Sequence, residues 1–278
     1  MRIKFLGTAA YEGHPSMYCH CPNCDEARRL GGKNLRARTQ AIIDDDLLID
    51  FGPDTYMNGM RFNLDYSKIK CILVTHSHGD HFVPAQLRSR GKSYATGLIE
   101  PVITVCGNSK IGQKLADGNL ISSDAAESTV RFSEIKEYET KKIGDYTVTS
   151  MLAHHMPTEN ALVYIIEKNG KTIFYCLDTG KLLDSDYEFL KKQGKRFDFI
   201  AFDCTYGTVE ADKYGGHMSL YDDANVFSKL KAIDAADEHT RVAVTHFAHW
   251  HTPSHEQMQR LADEFGFTVC YDGIEFEV

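Results

Sequence analysis

The 278-residue sequence has no apolar stretch approaching the roughly 18 residues that a membrane-spanning helix needs. A helical transmembrane protein is thereby excluded. It also has no Pro/Gly/Ser-rich linker and no low-complexity tract, so a single domain over residues 1–278 is the expected organisation. Basic charge is scarce as well, with 31 Lys and Arg against 39 Asp and Glu for a formal charge of −8. Long nucleic acids and anionic membranes are held by a basic face that releases counterions from phosphates, so neither is an expected partner. Met1-Arg2-Ile3-Lys4-Phe5-Leu6 runs straight into Gly7-Thr8, too short an apolar core for a secretory leader. A cytoplasmic protein is expected.

Against these absences stand 8 Cys and 13 His. Disulfides are a poor use of Cys in a reducing compartment. Cys71, Cys106, Cys176, Cys204 and Cys270 each stand alone in apolar runs and read as small core residues. Cys19, Cys21 and Cys24 instead crowd into a turn-rich C-x-C-x2-C cluster, one ligand short of a closed structural zinc site. His249 is the first candidate for the fourth ligand, and His14, His20 and His251 are weaker ones. A redox pair or plain thiols are the reading without metal.

Short β-branched or aromatic runs predict strands at 2–6, 41–43, 47–50, 71–75, 102–105, 146–152, 162–167, 172–177, 199–203, 242–245, 268–271 and 274–278. Ser254 with Gln257, and Ser219 with Asp222, mark helix starts. An internal echo is visible: Leu47-Leu48-Ile49-Asp50 and later Val74-Thr75-His76 are mirrored by Tyr175-Cys176-Leu177-Asp178 and later Val244-Thr245-His246. Two similar β/α layers facing each other are expected, with a site between their strand ends.

The sharpest signal is His76-Ser77-His78-Gly79-Asp80-His81, directly after an apolar strand. Four strong ligand side chains within six residues can converge on a small volume, Gly79 letting the backbone turn. The motif resembles the H-x-H-x-D-H signature of the metallo-β-lactamase superfamily of binuclear metallohydrolases. The resemblance implies an α/β fold, an αββα sandwich of two mixed sheets flanked by helices. It also implies further ligands at positions matching His155, Asp178 and His246, with His154 competing with His155. One ion would take His76, His78 and His155, the other Asp80, His81 and His246, with Asp178 shared. Such donors suit Zn, Mn or Fe, and two ions would make a hydroxide nucleophile at neutral pH. Asp50, at a strand end, is expected to orient a ligand His.

Gly7-Thr8-Ala9-Ala10, Gly13-His14-Pro15 and the cysteine cluster with Asp25-Glu26-Ala27-Arg28 narrow the resemblance to one branch. That branch holds the phosphoribosyl cyclic phosphate phosphodiesterase of carbon–phosphorus bond cleavage and a protein of pyrroloquinoline quinone biosynthesis. It implies a structural zinc on Cys19, Cys21, Cys24 and His249. It also implies a substrate-binding or proton-donating role for His217, with Asp80 and His217 as catalytic residues. His239 reads as a solvated surface residue. Arg88, Arg90 and Lys92 fit either an anionic-substrate contact or a solvated basic run.

The expected function is metal-dependent hydrolysis of a small, cyclic sugar or nucleotide phosphodiester, with a homodimer left open. The alternatives are a metabolite carrier related to the quinone-cofactor protein and a hydrolase of another ester class. A secreted β-lactamase would show a leader, a transfer-RNA processing nuclease a basic arm, and a flavo-diiron protein a Glu in the first motif and a flavodoxin domain.

Overall fold

Apolar runs and capped polar stretches assemble into two seven-stranded sheets in a computed structural model that describes residues 1–121, 128–210 and 215–278. The first sheet contains β1 (Arg2–Gly7), β2 (Gln40–Ile43), β3 (Leu47–Ile49), β4 (Cys71–Leu73), β5 (Ile103–Gly107) and β6 (Val130–Glu134). The second contains β7 (Thr140–Ile143), β8 (Tyr146–Leu152), β9 (Leu162–Lys168), β10 (Lys171–Cys176), β11 (Phe199–Asp203), β12 (Arg241–Thr245) and β13 (Thr268–Val269). The last strand, β14 (Glu275–Glu277), returns to the first sheet and pairs antiparallel with β1.

Both sheets follow one rule. From β14 through β1 and β2 to β3 the pairings are antiparallel, and from β3 to β6 they are parallel. From β7 to β10 they are antiparallel, and from β10 to β13 parallel. Parallel neighbours need crossovers. These carry α2 (Thr55–Phe62) and α3 (Ser109–Asp117) in the first half, and α4 (Asp184–Gln193), α5 (Leu220–Ala232) and α6 (His255–Asp263) in the second. One further helix, α1 (Pro22–Leu30), starts within the cysteine cluster, with Cys21 at its N-cap and Cys24 in its first turn.

Three buried clusters define the layers. Phe5, Leu47, Leu73, Tyr164, Tyr175 and Phe199 belong to the core between the sheets. Ile72, Val105, Ile111 and Leu115 pack the first sheet against its helices. Phe174, Phe202, Leu190, Val226 and Met258 do the same for the second. The result is the αββα arrangement, and strands covered on both faces read as unbroken apolar runs for that reason.

Helices α5 and α6 begin at Ser219 and Ser254, whose hydroxyls accept from the amides of Asp222 and Gln257. Sequence periodicity does not show α1, α2, α3, α4, β6 or β7. Helix α2 has Gly59 inside it and no side-chain cap, while β6 and β7 are largely exposed, polar edge strands. Five predicted strands, 47–50, 71–75, 172–177, 268–271 and 274–278, end one or two residues early; the first does so because Asp50 leaves β3 with φ of +65°. The echo holds for the aspartates, which follow β3 and β10, the fourth strand of each sheet counted from β14 and β7. It is displaced for the histidines, since His76 follows the fifth strand, β4, and His246 the sixth, β12.

The turn after β3 is zipped to the histidine motif: the Phe51 amide donates to the His81 carbonyl (2.7 Å) and the Val83 amide to that of Phe51 (2.8 Å). Gly52 lies against the same backbone, where an added Cβ would stand 2.0 Å from the Asp80 carbonyl oxygen. Backbone cannot swing aside like a side-chain tip. Gly52→Ala is therefore expected to lower unfolding free energy by about 3 kcal/mol, and an unchanged denaturation midpoint would contradict this packing.

Candidate metal centre and its cavity

Beyond β4 the chain turns its imidazoles inward. His76 Nε2 lies 2.8 Å from His78 Nδ1, and His155 Nε2 lies 3.2 Å from that same atom. On the other side, Asp80 Oδ2 is 3.2 Å from His81 Nε2 and 4.0 Å from His246 Nε2. Asp178 faces both groups. Its Oδ2 lies 2.9 Å from His81 Nε2 and 3.1 Å from His246 Nε2, while Oδ1 lies 3.8 Å from His155 Nε2.

The remote nitrogens of His76, His81, His155 and His246 are tied down, as metal-binding imidazoles require. Asp50 holds His81 Nδ1 at 2.7 Å and also accepts from the Thr75 amide and hydroxyl, the orienting role expected of it. The Thr205 hydroxyl sits 2.7 Å from His246 Nδ1, and the Gly216 carbonyl accepts from His155 Nδ1 at 3.0 Å. His154 points elsewhere, to Asp186 at 2.6 Å. Of the two adjacent histidines, His155 is the one that reaches the cluster.

Four inward atoms, Asp80 Oδ1, His81 Nε2, Asp178 Oδ2 and His246 Nε2, are buried without a hydrogen-bond partner. Each such group costs about 1–3 kcal/mol. Convergence of three of them, His81 Nε2, Asp178 Oδ2 and His246 Nε2, at one point beside the Asp80 carboxylate fits a cation. Protonation tells the same story: burial lowers His81, but Asp178, Asp80 and Asp50 outweigh it and raise the ring well above its usual value. Burial pushes Asp178 up, and His246 and His81 together pull it well below the usual carboxylate range. His76, buried and beside His81, is held well below the usual imidazole value. Metal ligation needs these rings deprotonated, so ions would compete with a proton on His81.

His217 joins the group from the loop before α5. Its Nδ1 is 2.9 Å from Asp203 Oδ2 and 3.1 Å from the Thr205 hydroxyl, and its ring stacks on His246 at 5.5 Å. Burial lowers its pKa, but Asp203 prevails and raises it to about 9. Asp203 and Thr205 escaped the sequence reading. The available signal was an Asp closing the apolar strand β11, as Asp50 and Asp178 follow β3 and β10. His217, His78, Asp80 and His246 border a cavity of about 450 Å³. Arg88 and Arg90 are not part of it: they donate to the carbonyls of Gly118 (3.0 Å) and Glu100 (2.6 Å). His239 is exposed beside Glu238.

Cys19, Cys21, Cys24 and His249 place one ligand atom each within 4.8 Å of one another. His249 Nδ1 is 3.4 Å from Cys21 Sγ and 3.2 Å from Cys24 Sγ. Three thiols and one imidazole match a closed zinc site. His14 lies against the Asn23 carbonyl, His20 pairs with Asp25, and His251 borders the cavity. The remaining cysteines are buried free thiols.

Residues 46–268 match the model of the beta-lactamase superfamily domain. The chain belongs to the metallo-β-lactamase superfamily. Among superfamily relatives, a coenzyme PQQ synthesis protein B from Methylobacterium radiotolerans is 24% identical over 320 residues, covering 100% of both chains. A ribonuclease Z from Sulfurisphaera tokodaii is 25% identical, covering 84% of this chain and 88% of the relative. A diphosphatase from the PhnP family superposes with TM-score 0.74 at 20% identity, over 100% of this chain and 97% of that one. Zinc-bound PqqB from Methylobacterium extorquens superposes with TM-score 0.75 at 18% identity over 100% of both. At these identities the superpositions show the shared fold. Among the described residues of this superfamily member, no helix is long and apolar enough to cross a membrane.

The ring orientations predict different outcomes for adjacent substitutions. His155→Ala should weaken metal binding at least about 100-fold, whereas His154→Ala should retain the full metal content by atomic emission. Metal loss in His154→Ala alone would reverse the assignment.

Proposed function

We propose that the protein is a metal-dependent phosphodiesterase acting on a small, cyclic sugar or nucleotide phosphoester. The observation that carries this reading is a single carboxylate, Asp178, facing two histidine-containing groups with the Asp203-held His217 beside them in one cavity. The donors fit two divalent ions of Zn, Mn or Fe. His76, His78 and His155 would hold one, Asp80, His81 and His246 the other, and Asp178 both. Cys19, Cys21, Cys24 and His249 would hold a structural zinc. Ions bound there supply the Lewis acidity that makes water nucleophilic at neutral pH and offset charge on the phosphoryl group.

The protein's own residues do the rest. Asp80 Oδ1, buried and unpartnered, is placed to accept a hydrogen bond from the attacking water. Asp203 and Thr205 fix His217 by Nδ1, leaving Nε2 to donate a proton to the departing oxygen. A metabolite carrier would have no use for this held imidazole. Nor does the acidic surface oppose an anionic substrate, since local positive charge in the cavity decides binding.

Asp178→Ala should abolish hydrolysis while the chain stays folded, and full activity in that variant would sink the reading. His217→Asn should cost about 10²–10⁴ in kcat on a diester with a poor leaving group. On bis-para-nitrophenyl phosphate, whose leaving group needs no proton, the loss should be much smaller. Equal losses on both would remove His217 from the proton-donor role.

A further inference from the structure

The metal-binding groups account for the floor of the cavity but not for its walls. From His217 a file of rings runs outward, with centroids 6.1 Å apart to Tyr206, 5.9 Å on to His251 and 6.2 Å on to Trp250. Trp250 is the sole tryptophan in the sequence, yet it is 64% exposed. Its backbone is held firmly: the Asn23 side-chain amide donates to the carbonyls of His249 (2.9 Å) and Trp250 (3.2 Å). The ring therefore projects from the same segment that closes the cysteine clip. Tyr11, 65% exposed, borders the cavity from the side of the histidine motif, where a Cβ on Gly79 would meet its Cε2 at 3.8 Å.

Charge in the lining points the same way. Glu12 contributes a carboxylate, and among the described residues no Lys or Arg lines the cavity. Away from the metal-binding groups and His217, a second phosphate on the substrate would meet Glu12 and, among the described residues, no Lys or Arg. Planar, uncharged groups would instead find several ring faces, and aromatic side chains stack on any nucleobase because every base has a π-face.

We propose that Tyr206, His251, Trp250 and Tyr11 form a clamp for a nucleobase. The substrate is then a nucleoside phosphodiester whose only anionic group is the phosphoryl at the metal-binding residues. This rests on the phosphodiesterase reading and narrows it: a base-bearing ester is preferred over a base-free sugar cyclic phosphate, and a sugar cyclic phosphate with a second phosphate is the poorest of the three.

The metal-loaded, full-length protein is assayed on those three esters. The base-bearing ester should exceed the base-free one by about tenfold in kcat/KM, mainly through KM. Trp250→Ala should erase most of that advantage, and Trp250→Phe should restore part of it. Equal kcat/KM with and without the base, or a Trp250→Ala loss of the same size on all three, overturns the clamp. Binding is read separately through the fluorescence of the sole tryptophan, titrated with adenosine monophosphate and with ribose phosphate. Quenching by the first and not the second supports the clamp even if no ester is hydrolysed, an outcome that would overturn the phosphodiesterase reading alone. Absence of quenching by adenosine monophosphate overturns the clamp itself.

Discussion

Asp178 is 2% exposed, carries a carboxylate between the imidazoles of His81 and His246, and leaves one oxygen without a hydrogen-bond partner. Burying such a group costs several kcal/mol unless opposite charge and directed partners offset it. Every surrounding feature serves that compensation. The chain leaves β3 and β10 through Asp50 and Asp178 and leaves β12 through His246, each with a left-handed φ of 65°, 49° and 63° respectively. Outside glycine that conformation costs about 1–3 kcal/mol and persists where packing over-determines it. Here it redirects donors out of the strand plane and toward one point.

Donors come from both halves of the sandwich. His76, His78, Asp80 and His81 follow β4 of the first sheet, while His155, Asp178 and His246 follow β8, β10 and β12 of the second and Asp203 closes β11. The cluster therefore joins two sheets that otherwise meet through a largely apolar core containing Phe5, Tyr164 and Tyr175, with a few polar bonds across it such as that from the Tyr164 hydroxyl to the Val74 carbonyl (2.6 Å). Fixing its geometry is a task for the whole fold. The close approach of Gly52 to the Asp80 backbone and the Asp50 bond to His81 are two of the local means.

Much of this was legible in the sequence because chemistry-bearing residues sat at the ends of apolar runs. The motif from His76 to His81, Asp178, His246 and the cysteine trio could be named there, and the structure brings them into two clusters. Choosing between His154 and His155 could not be done from sequence, since it depends on Asp186 reaching one ring and the Gly216 carbonyl the other. Asp203 was hidden by its place at the end of an apolar strand with no His beside it in sequence. His217, its partner, is 14 residues away. The polar edge strands β6 and β7 and the uncapped α2 lacked any periodic signal strong enough to find. For Arg88 and Arg90 the choice between an anion contact and a solvated basic run stayed open in the sequence, which does not show that backbone carbonyls take up their guanidinium groups.

If these buried donors are metal ligands, the purified wild-type protein must carry the metal, and counting it is the decisive measurement. Elemental analysis after saturation with zinc or manganese and removal of excess should find two ions for the cavity and one for the clip per chain. A protein that folds normally and retains only the clip zinc, or no metal at all, would mean that the buried cavity donors are not metal ligands.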